Sequence, residues 1–210
     1  MQNTTSSTAL GFARYRGQEG IDRNDMIEAC LSWREDFLLK QDGILGHFFF
    51  GNMQGKFADM TFARDQKSLD RMSEAFVGDA SSSAFLGTLD LDTVSLARCE
   101  ILKDDFMPPE HFSCVEFGTF SSVPDHPFSE KQMLCASDKI ETEYLNRFGA
   151  SRGHFMGKMS DKTYAEISFT DTLANARRIC GGYLKEPACV PLLSMFDPAS
   201  VDLDFWYLLA

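Results

Sequence analysis

The chain repeats itself once. Gly46-His47-Phe48 recurs as Gly153-His154-Phe155, and residues 51–65 (GNMQGKFADMTFARD) recur as 157–171 (GKMSDKTYAEISFTD). Asp90, Val94, Leu96 and Leu102 match Asp197, Val201, Leu203 and Leu209, so these pairs lie 106 or 107 residues apart. Phe12 matches Phe117 and Cys30 matches Cys135 at a spacing of 105. A near-constant spacing along the chain requires both halves to adopt one fold. Two copies are too few for a solenoid, so the reading is duplication of a whole domain. The segment KDDFMPPEH (103–111), with its double proline and charges, reads as the linker. The expected modules are 1–105 and 106–210.

Each copy reads β-α-β-β-α-β. In the first, LGFARYR (10–16) alternates as a strand, and Asn24 or Asp25 is placed to cap a helix. Met26, Cys30, Trp33 and Phe37 share one face of that helix, and Gly43 ends it. ILGHFFFGN (44–52) and KFADMTFA (56–63) flank a Gln54-Gly55 turn. DQKSLDRMSEAF (65–76) is the second helix, a short Ser/Ala-rich helix follows, and TVSLARCEIL (93–102) closes the sheet. In the second copy Ser129 and Asp171 are the expected caps, and VPDHPF (123–128) is a loop. A four-stranded antiparallel sheet with helices on one face leaves its other face to be covered. The expected architecture is therefore α+β: two ferredoxin-like βαββαβ modules whose antiparallel sheets pack face to face. The covalent link would hold the second sheet at high effective concentration, as a pseudo-dimer within one chain. A homodimer of whole chains is left open.

Composition excludes several classes of partner. The net charge of −11 disfavours nucleic acid and anionic membrane surfaces, which both select basic proteins. No apolar run approaches the ~20 residues of a membrane span, and the first residues do not read as a secretory signal. The six cysteines show no CxxC spacing and are expected as reduced, mostly buried thiols in a cytoplasmic protein.

The segments running from Asp65 to Phe76, Ser81 to Leu86 and Asp90 to Val94 resemble the dimeric α/β barrel superfamily. They are similar to its antibiotic-biosynthesis monooxygenase and stress-responsive A/B barrel branches. Asp171 to Tyr183, Glu186 to Met195 and Asp197 to Val201 repeat them. The resemblance implies a ligand cleft at the sheet. It also implies a range of activities: cofactor-free monooxygenases, haem-degrading enzymes, isomerases, cyclases and proteins without activity. The Asn, Trp and His set of the haem-degrading members is not matched, since Trp33 falls on the first helix and Trp206 in the last strand. A shared fold does not carry the chemistry with it.

His47 and His154 lead the candidate catalytic residues, because a histidine kept at one strand position in both copies can bind a ligand or move a proton. Asp59 and Glu166 are their repeat-paired carboxylates on the third strand. Alternation with Ala58 and Met60 predicts that Asp59 points away from the helices. Tyr15 and Arg14 on the first strand, and Lys158 and Tyr164 in the second copy, are candidate ligand contacts. Phe117, Phe120, Tyr164 and Phe205 are candidates for an apolar wall, or for plain core. His111 and His126 lie in loops without counterparts and are expected to be exposed. The extra polar groups Lys158, Tyr164 and Glu166 favour the second copy as the working one. The function expected is binding of a small apolar or aromatic molecule, without cofactor or metal, by a monooxygenase-like or acid/base isomerase-like enzyme. A non-catalytic stress-response barrel and a metal- or haem-binding protein stand as alternatives.

Overall fold

A computed structural model describes residues 6–123 and 129–210. It divides into two compact units. The first comprises the chain up to Glu100 together with Asp104–Pro108 and Leu208–Ala210; the second comprises Ile101–Lys103 and Pro109–Tyr207.

In the first unit, strand β1 (Ala9–Gly17) leads to helix α1 (Arg23–Asp36). The hairpin β2 (Ile44–Gly51) and β3 (Phe57–Ala63) follows, then α2 (Gln66–Phe76), α3 (Ala80–Leu86) and β4 (Leu89–Ile101). The sheet order is β4-β1-β3-β2, antiparallel throughout. The hairpin turns where expected: Gly55 takes φ +73°, and the Asn52 side-chain oxygen accepts from the backbone N–H groups of Gln54 (3.0 Å) and Lys56 (2.8 Å). That is an Asx turn, in which a side chain replaces the missing backbone acceptor.

The cap of helix α1 lies two to three residues before the expected one. Asp22 is the N-cap, accepting from Asn24 N (2.6 Å) and Asp25 N (2.9 Å), while the Asp25 carboxylate reaches back to Asp22 N. The reciprocal pair is a capping box, which satisfies more orphan donors than a cap at Asn24 or Asp25 alone. Met26, Cys30, Trp33 and Phe37 all point inward, and with Tyr15, Phe49 and Phe85 they form the core between α1 and the sheet. Asp65 caps α2 through Ser68 N at 2.7 Å.

The second unit runs β5 (Cys114–Ser121), α4 (Glu130–Glu143), β6 (Ser151–Lys158), β7 (Thr163–Thr170), α5 (Leu173–Gly182), α6 (Val190–Leu193) and β8 (Asp202–Leu208). Its sheet order is β8-β5-β7-β6. Ser129 caps α4, as expected. The cap of α5 is Thr172, not Asp171; Asp171 instead accepts from the Asn175 side chain at 2.8 Å. The described part of the loop after β5 carries no helix, and His126 lies outside the described residues. His111 is exposed. All six cysteines are free, four of them buried. Among the described residues no helix is long and apolar enough to cross a membrane.

The spacing of equivalent elements corrects one repeat pair. Strands β1 and β5 start 105 residues apart, but helices α1 and α4 start 107 apart. The buried counterpart of Cys30 is therefore Ser137, and Cys135 is exposed. The two extra residues fall between β5 and α4.

Gly43 sits at φ +84°, and a Cβ there would lie 2.7 Å from Ser68 Cβ. Its equivalent in the second unit is Ala150, whose carbonyl accepts from Asp171 N as that of Gly43 accepts from Arg64 N. Gly43→Ala should therefore destabilise by about 2 kcal/mol, from backbone strain and the clash together. That corresponds to a melting temperature roughly 4–8 °C lower. Gly149→Ala, at an open site with ordinary φ, should change it little. Calorimetry of the two variants checks this, and equal melting points would refute the assignment.

Candidate functional site

In each unit a histidine on the second strand meets a carboxylate on the third. His47 lies opposite Thr61 in the β2–β3 ladder and Asp59 opposite Phe49, so the two are diagonal neighbours on one face. His47 Nε2 lies 2.7 Å from Asp59 Oδ1, with both side chains buried. His154 and Glu166 repeat this across β6–β7 at 2.9 Å.

The face is the opposite of the one expected. Asp59 Oδ1 accepts from Cys30 Sγ of α1 at 3.6 Å, and its other oxygen accepts from the Tyr15 hydroxyl on β1. The carboxylate thus points to the helices, and Ala58, Met60 and Phe62 take the other side. Strand β3 is buried on both faces from Ala58 to Ala63, so hydrophobic alternation carries no information about which face meets the helices. What decides it is hydrogen bonding: a buried carboxylate needs donors, and His47, Tyr15 and Cys30 supply them on the helical side. Burial, then the Asp59 charge, push both the Tyr15 hydroxyl and the Cys30 thiol well above their ordinary pKa values. Both are protonated donors at neutral pH. Trp33 packs edge-on to His47, with ring centroids 5.4 Å apart, and donates from Nε1 to Ser82 at 3.1 Å.

Beside this cluster lies a cavity of about 320 Å³. Its walls come from β1 (Gly11, Ala13, Tyr15), β3 (Asp59, Thr61), β4 (Leu89, Val94, Leu96, Arg98), α2 (Leu69, Met72, Ser73, Phe76), α3 (Phe85, Leu86) and Trp33 of α1. The lining is mostly apolar; Asp59 and Tyr15 form one polar corner, and Thr61, Ser73 and Arg98 add further polar groups. Arg98 is held in place by Asp70 (2.6 Å) and Ser73 (2.5 Å). The cavity lies in the first unit, whereas the distribution of polar residues along the sequence favours the second.

The second unit uses the same pair differently. Glu116 stands at the position of Gly11, Cys180 at that of Ser73, and Tyr183 at that of Phe76. Tyr183 donates to Glu166 Oε1 at 3.1 Å, so a tyrosine again completes a histidine–carboxylate pair, but from the far end of α5 instead of the first strand. Lys103 donates to Glu141 (2.6 and 2.8 Å) and to the His154 carbonyl (3.0 Å). Glu141 Oε2 lies 3.8 Å from His154 Nδ1, an ion-pair distance beyond hydrogen-bond length. Burial of His154 favours its neutral form, but Glu141 and Glu166 outweigh that and raise its pKa to about 9. Burial, with the charge of Glu166, pushes Glu116 up to about 8.

Of the other sequence candidates, Tyr164 and Lys158 meet at Glu130 (3.3 and 3.2 Å), at the start of α4. Phe120 stacks on Phe196 within the core, and Phe117 is buried. Arg14 is half-buried and alternates with Tyr15, so it lies off the cavity face. Cys30, Lys103, Glu141 and Tyr183 were not singled out from sequence. Cys30 alone had a signal, its place on the inward face of α1.

The His154 pair makes stability depend on pH. Its folded pKa of about 9 exceeds the ordinary 6.5. The stabilisation is therefore complete below pH 6.5 and is lost as pH rises through about 9. Urea unfolding should show stability falling over that window by up to about 3 kcal/mol. His154→Gln should remove that slope; a slope unchanged in the variant would refute the pairing.

No protein-family model matches the sequence, and no curated protein matches it. Solved structures do match, across both units. A presumed monooxygenase from Fusobacterium nucleatum superposes with TM-score 0.64 at 9% identity, covering 98% of this chain and 94% of that one. An anthrone oxidase-like protein does so with TM-score 0.59 at 10% identity, covering 97% and 92%. A chlorite dismutase variant from Candidatus Nitrospira defluvii reaches 0.65 at 8% identity, covering 99% and 93%. At such identities the likeness establishes fold and no more, and it agrees with the two βαββαβ-type units described above. By fold, the chain is similar to these structures, and each of its units is a ferredoxin-like α+β unit.

Proposed function

We propose that the first unit binds a small apolar or aromatic molecule and performs acid/base chemistry on it, as a monooxygenase-like or isomerase-like enzyme. The observation that carries this is a buried carboxylate, Asp59, set into the wall of an apolar cavity and backed by His47. An apolar cavity with a few converging polar groups is the usual form of a small-molecule site. Asp59 would accept a proton from an acidified C–H or O–H of the ligand, with the Tyr15 hydroxyl orienting the ligand oxygen. His47, on the side of Asp59 away from the cavity, would hold the carboxylate in place through Nε2, and the proton would stay on Asp59 until it is returned to the product or to solvent. The resulting carbanion or phenolate either regains a proton elsewhere, which is isomerisation, or reacts with dioxygen. In the second case a CH₂ becomes C=O and the other oxygen atom leaves as water. The anthrone oxidase-like and monooxygenase-like neighbours favour the oxidative branch.

Haem does not fit this site. Among the described residues the cavity lining contains no histidine or cysteine to serve as an axial ligand. The second unit, where Glu116, Cys180 and Tyr183 replace cavity-lining positions, is read as the structural partner. Its buried carboxylates and histidine hold one another and not a ligand.

A thermal-shift screen with phenols, quinols and anthrone-like tricyclics should yield a ligand that stabilises the protein by several degrees. Ala13→Trp, which fills the cavity beside Asp59, should abolish that shift. Asp59→Asn should lower turnover by at least about 100-fold, the usual contribution of a positioned base, and leave binding within a few-fold. His154→Gln should leave both unchanged. Full turnover in Asp59→Asn would sink the acid/base reading; binding undiminished in Ala13→Trp would move the site elsewhere.

A further inference from the structure

Cys30, His47 and Asp59 converge from α1, β2 and β3, and one ligating atom of each lies within 4.8 Å of the others. We infer that they form a binding site for one zinc-class divalent cation, at the inner wall of the cavity. This goes beyond the proton-transfer reading and does not rest on it.

The donor set selects the metal. A thiolate, an imidazole and a carboxylate are the ligand types that zinc takes, and a soft sulfur with a ring nitrogen disfavours magnesium and calcium. The spacing fits as well. Zinc–sulfur and zinc–oxygen bonds of about 2.3 and 2.0 Å at a tetrahedral angle place sulfur and oxygen roughly 3.5 Å apart. Cys30 Sγ and Asp59 Oδ1 are 3.6 Å apart. The His47 and Asp59 atoms, now hydrogen-bonded at 2.7 Å, would separate by roughly half an ångström.

Charge balances on loading. Binding displaces the Cys30 thiol proton to solvent, and the dication then meets one thiolate, one carboxylate and a neutral imidazole, a net charge of zero. A neutral assembly is the form a buried site tolerates, since an unpaired buried charge is costly. The outer support is present too. Tyr15 donates to Asp59 Oδ2, which leaves Oδ1 facing Cys30 and His47. Such oriented carboxylates are typical of metal ligands. Asp59 is the one member of the trio that also lines the cavity, so three protein ligands would leave a fourth position for water or substrate.

The second unit shows that the trio is not a by-product of the fold. It keeps the histidine–carboxylate pair, but Ser137 replaces Cys30 and Phe120 replaces Tyr15. With no thiol at the position of Cys30 and an extra glutamate, Glu141, beside the histidine, it assembles an ion-pair network instead.

The test is Co²⁺ titration of the metal-free full chain carrying Cys135→Ser, which removes the exposed thiol. The expected result is one equivalent bound, with a thiolate-to-cobalt charge-transfer band, tetrahedral visible bands, and displacement by Zn²⁺. Cys30→Ser and His47→Gln should each abolish the charge-transfer band or weaken binding at least 100-fold. Circular dichroism would confirm that these variants fold, and Asp59→Asn serves as the third ligand variant if one of them does not. His154→Gln should bind normally. Absence of a thiolate band in folded protein, or a band that survives Cys30→Ser, overturns the site. The titration contains no organic ligand, so it fails or succeeds apart from the turnover measurements on Asp59→Asn.

Discussion

Everything around the site follows from placing a carboxylate inside a strand that is buried on both faces. Asp59 is 5% exposed on β3, and a carboxylate so deep is tolerated only with hydrogen-bond donors around it. The fold supplies them from three directions. The neighbouring strand brings His47 through a diagonal cross-strand pair, the first strand brings Tyr15, and the helix packed above brings Cys30. Remove the donors and the strand could not be buried there. Remove the carboxylate and a phenol, a thiol and an imidazole would be left without their shared acceptor.

The two units solve this one problem in different ways. In the first, the donors are compact and the space beside them stays open, because Gly11 and Ala13 on β1 have little or no side chain and Ser73 is small. In the second, Glu116 takes the place of Gly11, and Tyr183 swings in from the end of α5 to reach Glu166. Half-buried Glu141 then meets Lys103 and His154, while burial and the neighbouring Glu166 push Glu116 up to about 8 and favour its protonated form. A cavity and a dense charged network are alternative uses of the same volume.

The cavity wall around Asp59 and Tyr15 is mostly apolar, and Arg98 is engaged by Asp70 and Ser73. Low polarity strengthens whatever electrostatic interaction is made there. Either a proton shared between Asp59 and His47 or a cation held among Cys30, His47 and Asp59 would be felt strongly by a ligand in the cavity. The apolar walls contribute binding without competing for that charge.

The sequence by itself determined the order of elements, and it placed His47 and Asp59, like His154 and Glu166, on the adjoining strands of one hairpin. These are local properties: strand and helix periodicity, turn glycines such as Gly55, and a register that a hairpin enforces over a dozen residues. It also placed Cys30 on the inward face of α1, because helical periodicity is local too. The tertiary structure alone decided which side of the sheet Asp59 faces. Period-two alternation says which residues share a face, but on a strand buried on both sides it does not say which face meets the helices. It alone decided the convergence of Tyr15, Cys30 and Asp59, and of Lys103, Glu141 and His154, whose members lie tens of residues apart. Finally, it placed the cavity in the first unit, because empty space depends on which side chains fail to fill it, and that is a property of packing in three dimensions.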